Sequence, residues 1–202
     1  MPRRLARSFF RRPTLDVARS LLGQRLVRID RGQRLSGWIV ETEAYIGQHD
    51  LGCHARAGRT ERNKTMWGEP GHIYVYFTYG MHWCMNVVTE DENFPAAVLV
   101  RGLVPAEGTR RMRARRGEGR PVADGPAKLC QALDIDGRWD GYDLCAAKGR
   151  LFIEPGPALR VQWVKRGPRV GLDRVPEPWK SKPWRFRVSD AAMSMFAKEK
   201  DG

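Results

Sequence analysis

Five stretches between Arg25 and Leu103 are rich in β-branched and aromatic residues and are parted by glycine-bearing or polar breaks, which commits this half of the chain to a sheet. Arg25 to Ile29 and Gln33 to Ala44 flank Asp30-Arg31-Gly32 and read as a hairpin. His72 to Tyr79 and Met81 to Thr89 read as a second hairpin with Tyr79-Gly80 at its tip, and Ala96 to Leu103 adds a further strand. Leu151 to Glu154, Leu159 to Val164 and Trp184 to Val188 read as later strands between Pro-rich and Gly-rich connections. A helix capped by Thr14 runs through Leu22, with Leu15, Ala18, Leu21 and Leu22 on its apolar side and Gly23 as terminator. A second helix spans Pro126 to Leu133; Leu129, Ala132 and Leu133 face inward, and its N-terminus, with Lys128 in the first turn, can hold a phosphate.

Helical and strand patterns are interspersed without a βαβ rhythm. The expected fold is therefore mixed α/β (α+β): one compact domain over residues 1–202, built on a curved antiparallel sheet with flanking helices and a protruding β-hairpin. At 202 residues and 42% hydrophobic composition, the chain can bury one substantial core. His49 to Gly71 loses all periodicity and reads as an irregular loop of the kind that often carries sites. Glu107 to Arg116 begins like a helix, but Arg110, Arg111, Arg113, Arg115, Arg116 and Arg120 are too charged for a core face. The basic segment 106–124 is open between a phosphate-contacting surface and a solvated, mobile linker.

Lys and Arg outnumber Asp and Glu 36 to 23, a formal charge of +13 that favours a polyanionic partner such as nucleic acid, although a merely basic soluble protein has the same composition. No apolar run reaches membrane-spanning length, and Met1-Pro2-Arg3-Arg4 is not followed by an apolar signal core, so no membrane partner is expected. The expected location is the cytoplasm and nucleoid of a prokaryote or the nucleus of a eukaryote. Cys53, Cys84, Cys130 and Cys145 are scattered and read as free thiols. Cys53-His54 and His82-x-Cys84 lack the spacing of a metal centre, so no metal is predicted.

Within this basic chain, acidic groups and flat aromatic rings crowd into Val40 to Tyr45 and Tyr74 to Tyr79, a coincidence that suggests chemistry on a nucleobase. On a regular strand Glu41 and Glu43 share a face about 6 to 7 Å apart, and their repulsion or burial raises a carboxylate toward use as a base. A solvated edge with two structural glutamates is the plainer reading of that strand alone. Tyr74 and Tyr76 share one strand face, while Ile73, Val75 and Phe77 take the other and meet the core. Tyr79, at a hairpin tip with little core to enter, can act as a wedge in DNA. Arg101 interrupts an apolar strand and needs a partner, either Glu41 or Glu43 in a structural bridge, or a carboxylate and water that it orients. Asn86 presents an amide donor and acceptor, and His54 is either a satisfied loop histidine or a second flat wall of a base pocket.

The motifs VETEAY (Val40 to Tyr45), YVYFTYGMHWCMN (Tyr74 to Asn86) and GPAKLCQAL (Gly125 to Leu133) together closely resemble the alkyladenine, or 3-methyladenine, DNA glycosylase family over most of the chain. The resemblance implies a single mixed α/β domain that flips a damaged nucleotide out of duplex DNA and hydrolyses its N-glycosidic bond, with no cofactor. By resemblance, Glu43 activates water, Tyr45, His54 and Tyr76 enclose the base, Tyr79 intercalates, and Asn86 disfavours normal guanine. Arg101 matches an arginine near the catalytic water, and Arg169-Val170-Gly171 matches a segment whose backbone, at Val170, helps hold that water. Met81, His82, Lys128, Arg59 and Arg62 match DNA-contact regions.

These readings predict a monofunctional hydrolase, expected as a monomer, that acts on double-stranded DNA containing alkylated or deaminated purines and leaves an abasic site. Lys64 keeps a lyase reaction formally open. The HxE and PCxxC pattern of zinc deaminases is absent. The competing reading is a non-catalytic, damage- or structure-specific nucleic-acid-binding module that uses the same tyrosines and basic surface.

Overall fold

In a computed structural model that describes residues 4–196, the strand predictions resolve into eight strands, all paired antiparallel. In chain order they are β1 (Arg25–Asp30), β2 (Gln33–Ile46), β3 (Ile73–Thr78), β4 (His82–Val88), β5 (Ala96–Glu107), β6 (Leu151–Glu154), β7 (Val164–Gly167) and β8 (Arg185–Val188). The helices are α1 (Arg7–Phe10), α2 (Thr14–Ser20), α3 (Thr109–Arg116), α4 (Pro126–Leu133) and α5 (Asp190–Met193). The sheet order is β3-β4-β5-β2-β1-β6, with β8 also on β2 and β7 on β8.

β2 is the spine. Its first half pairs with β1, and at Glu41–Glu43 the same edge passes to β8, while β5 follows the other edge from Ser36 to Ile46. Two strands sharing one edge at different heights, together with register shifts at Ser36/Gly37 and around Glu41, curl the sheet. Leu26, Leu35, Ile39, Val98 and Val100 fill its concave side against Leu21 and Leu22 beyond α2 and Leu129 and Leu133 of α4. No helix among the described residues is long and apolar enough to cross a membrane.

Local departures from expectation have local causes. Thr14 begins α2 but does not cap it; Pro13 holds that position, and the Thr14 hydroxyl bonds Thr89 Oγ1 at 3.0 Å and the Glu90 carboxylate, tying α2 to the end of β4. Leu159 to Val164 is not a strand but a 3-10 turn at Val161–Trp163 that leads into β7, because β8, the edge available to it, pairs only with Val164–Gly167. Phe77 does not meet the core: the β3–β4 hairpin runs past the sheet, leaving Phe77 exposed and its ring 4.7 Å from that of Trp83.

The loop after β2 contains two 3-10 turns, His54–Ala57 and Lys64–Trp67, and Asn63 braces it by donating to the His54 and Gly58 carbonyls and accepting from Thr60 N–H. The first half of the arginine-rich segment is a helix. Met112 and Thr109 of α3 are buried, and Arg111 and Arg115 each reach Asp30 Oδ2 at 2.8 Å, which leaves Arg110 and Arg113 toward solvent.

Candidate active site

The end of β2, the β3–β4 hairpin, β5, the loop at Gly52–His54, the first residue of α4 and the segment 170–172 surround a cavity of about 310 Å³. That volume lies at the small end of ligand sites, the scale of one planar heterocycle. Tyr45, His54, Tyr76, Tyr79, Asn86, Arg101 and Val170, chosen from widely spaced parts of the sequence, all line it.

Glu43 lies directly behind this lining with none of its surface exposed. Its Oε1 accepts the Val170 backbone N–H at 2.7 Å, and its Oε2 accepts the Tyr45 hydroxyl at 2.9 Å and Arg101 Nη1 at 3.3 Å. A carboxylate offers about four acceptor positions, so three donors leave Oε1 capacity for one more. Burial is the dominant influence on Glu43 and holds its pKa above the ordinary carboxylate value; Arg101, the Val170 N–H and the Tyr45 hydroxyl pull it down without overcoming that, and Glu41 adds a push upward. Burial, followed by the adjacent Glu43 charge, lifts the Tyr45 phenol well above its usual range and keeps it a neutral donor.

Arg101 serves both partners considered from sequence. Its Nε donates to Glu41 Oε1 at 3.0 Å while Nη1 reaches Glu43. It can do so because the register shift at Glu41 leaves Arg101 without a paired residue on β2. Burial works against the guanidinium charge, yet the facing Glu43 and Glu41 carboxylates raise its pKa. Arg185, from β8, donates to the same Glu41 oxygen at 2.6 Å, so two cations flank Glu41 and one of them also faces Glu43.

The aromatic wall is layered. Tyr74 and Tyr76 stack at 5.4 Å and 27°, and the His54 ring stands edge-on to Tyr76 at 4.5 Å and 84°, its Nδ1 bonded to Tyr74 Oη at 3.0 Å. His54 keeps part of its surface open at the mouth, but its packed ring and the nearby Arg62 and Arg56 bring its pKa down to about 4, so the imidazole is neutral at physiological pH. Asn86 is buried and spends one amide N–H on the Tyr74 carbonyl at 3.1 Å across the β3–β4 pair. Tyr79 is 82% exposed in a turn closed by Met81 N–H on the Thr78 carbonyl at 3.2 Å, where it and Gly80 have φ of 51° and 66°, both left-handed as in a type I′ turn.

Met81 and His82 flank Tyr79 on the exposed tip. Arg62 lies over the Tyr76 ring at 5.8 Å and donates to the Phe77 carbonyl, and Arg59 is exposed on the same loop, outside the cavity. Lys128 sits in the first turn of α4, paired with Asp124 at 2.9 Å. Lys64 is exposed, paired with Glu61 at 2.9 Å, and is not among the cavity residues. Among the described residues no cluster of three His, Cys, Asp or Glu is placed to share a metal ion, and all four cysteines are free thiols.

Asp50, which sequence reasoning did not single out, and Arg169, named there only as the first residue of the Arg169-Val170-Gly171 segment, are buried ionic residues beside the site. They pair across 119 positions, and neither lies in a periodic pattern that signals the contact. The buried aspartate in a polar loop is legible only once the fold closes that loop over it.

The sequence profile of the methylpurine-DNA glycosylase family matches residues 8–192, nearly the whole described chain. The chain belongs to the methylpurine-DNA glycosylase family. A protein of Methanocella arvoryzae is 49% identical over 185 residues, covering 90% of each chain, and carries the provisional name 3-methyladenine DNA glycosylase. Proteins with the same provisional name are 45% identical over 191 residues in Myxococcus xanthus, covering 93% of this chain and 91% of that one, and 43% identical over 182 residues in Chlorobaculum parvum, covering 88% and 86%. Membership in the methylpurine-DNA glycosylase family makes this a base-excising enzyme of DNA repair that binds DNA.

Proposed function

We propose that this methylpurine-DNA glycosylase extrudes an alkylated or deaminated purine, with 3-methyladenine as the type substrate, and hydrolyses its N-glycosidic bond with a water activated by Glu43. The observation that carries the reading is a fully buried carboxylate, held by three donors with one acceptor position left on Oε1, behind an aromatic-walled cavity whose rim bears the exposed Tyr79. The purine enters between Tyr45, Tyr76 and His54, whose rings favour an electron-poor or cationic base, and Asn86 tests its edge. Tyr79 fills the gap left in the duplex, while Met81, His82, Arg59, Arg62 and Lys128 contact the DNA.

In the reaction, the water oxygen bonds to the anomeric carbon as the C–N bond breaks, the bonding pair leaves with the purine, and the water proton passes to Glu43 Oε1. An N-alkylated purine departs neutral because it begins cationic. The Glu43 charge also stabilises the oxocarbenium-like sugar, and Arg101 keeps that carboxylate ionised and aimed. Among the described residues no lysine lines the cavity, which supports a monofunctional hydrolase that stops at the abasic site. The reading extends to a monomer working wherever the cell keeps its DNA, the nucleoid or the nucleus.

Duplex oligonucleotides carrying one hypoxanthine or one alkylated purine, treated with the protein and then with alkali, test this directly. Strand cleavage by the wild type and its loss in Glu43→Gln, with lesion binding retained, is expected. Tight lesion binding with no cleavage by the wild type on any lesion would transfer the chain to the non-catalytic damage-binding class.

A further inference from the structure

Asp50 and Arg169 form a fork-to-fork ion pair in which neither side chain has any exposed surface. Arg169 Nη2 donates to Asp50 Oδ1 at 2.8 Å and Nη1 to Oδ2, and the same guanidinium donates to the Ala44 carbonyl at 3.0 Å and the Trp179 carbonyl at 3.3 Å. Asp50 is itself held by the Ile46 and Gly52 N–H groups at 3.2 and 2.9 Å. A buried ion pair gives up hydration on both sides, and a well-packed apolar pair in its place is often as stable, so stability alone is a weak reason for it. What the pair specifies is a geometry.

That geometry converges on Glu43. Ala44, whose carbonyl Arg169 grips, follows Glu43 in β2, and Val170, whose N–H caps Glu43 Oε1, follows Arg169. The Arg169 guanidinium also lies 4.7 Å over the Tyr45 ring, whose hydroxyl donates to Oε2. Two of the three donors on Glu43 are thus set by one cation. Val170 has little other anchorage: it is 44% exposed on the cavity rim, and Gly171 after it has a φ of 79°.

We propose that Asp50 and Arg169 are positioning residues for excision, a clamp that locks the Val170 N–H and the Tyr45 hydroxyl onto Glu43 without touching substrate. The proposal rests on the reading of Glu43 as the base. The groups facing Glu43 are Arg101 from β5, Glu41 and Tyr45 from β2, Tyr76 from β3, Cys84 from β4 and the Val170 N–H; Arg185 from β8 is engaged with Glu41. The clamp contributes no net charge of its own, so its removal acts on Glu43 through lost hydrogen bonds, which raises the pH at which the base ionises.

The test is the single-turnover rate of methylpurine release from duplex DNA pretreated with a methylating agent, enzyme in excess, from pH 5 to 9. The double variant Asp50→Leu with Arg169→Met removes both charges together and keeps apolar packing. Its acid limb should move up by about one pH unit, a tenfold loss of rate below the limb, while DNA affinity changes less than twofold. Arg169→Lys, which keeps the charge but forfeits the fork, should move the limb the same way by less, and decides the matter alone if the double variant does not fold. A lowered melting temperature with an unmoved pH profile and a rate within twofold of wild type would reduce the pair to a structural element and overturn the proposal. Glu43→Gln in the otherwise wild-type protein separates the two claims: if it excises normally the base assignment fails, whereas if it is inactive and the clamp variants are unmoved only the clamp fails.

Discussion

Arg101→Met offers the sharpest check on the electrostatics of the site. Arg101 Nη1 stands 3.3 Å from Glu43 Oε2, a separation at which two unit charges attract by about 5 kcal/mol at an effective dielectric near 20. Spread over the guanidinium, shared with Glu41 and screened through the part of Arg101 that reaches solvent, the effective loss is about 3 to 4 kcal/mol, or about two to three pKa units at 1.36 kcal/mol per unit. Glu43 already sits above the ordinary carboxylate value, and Glu41, still bound to Arg185 at 2.6 Å, keeps its negative charge next to it. The variant carboxyl should therefore hold its proton to a higher pH than the wild type's. The acid limb of single-turnover excision of a 7-methylguanine duplex should move up by about two to three pH units, a loss of about 100- to 1000-fold below the wild-type limb that shrinks about tenfold with each further unit of rising pH. A loss of equal size at every pH, with the acid limb in place, would mean that Arg101 acts on the reacting sugar rather than on Glu43, and the reasoning would be refuted. An acid limb within about half a pH unit of the wild type's would refute it as well.

Glu43→Gln should stabilise the fold progressively as pH rises. Because the native pKa of Glu43 lies above its unfolded value, the folded protein binds the proton more readily, and wild-type stability falls as pH climbs from the ordinary carboxylate range through the raised value. The melting-temperature gap between variant and wild type should widen from pH 4 to pH 8; a constant gap would show that Glu43 is not shifted. Tyr79→Ala removes an 82% exposed ring, so stability should change by less than about 0.5 kcal/mol, while capture of a lesion duplex weakens by about 1 to 3 kcal/mol. Equal loss of affinity for undamaged duplex would sink the wedge role. The His54 imidazole, brought down to about 4, should titrate in an NMR experiment far below its ordinary midpoint and leave the acid limb of excision in place in His54→Asn; a midpoint near 6.5 would contradict the packed, neutral ring.

Much of this protein is legible in local pattern. Alternation and turn residues place β1, β2, β4 and β6 within one or two residues, and Gly125-Pro126 opens α4 where the helix begins. Side-chain chemistry together with the resemblance to the DNA glycosylase family pointed at Glu43, Tyr45, His54, Tyr76, Asn86 and Arg101, and the fold gathers them around one cavity and the carboxylate behind it. The four-residue helices α1 and α5 are shorter than two helical turns and carry no period to read. Phe77 has a strand residue's pattern, but whether a strand end lies over the core or beyond it is a property of the sheet, and the hairpin leaves it outside.

What residues three or four apart can settle, the chain settled by itself: strand, turn and helix, and the aromatic hairpin tip, while its basic surplus favoured a polyanion without selecting one. The ionisation and aim of Glu43 are of another kind. They depend on a backbone N–H 127 positions away, on an arginine from β5 freed by a register shift, and on an ion pair spanning 119 positions. No local propensity encodes such contacts, because burial and the low dielectric that gives them their strength exist only after the curled sheet has closed.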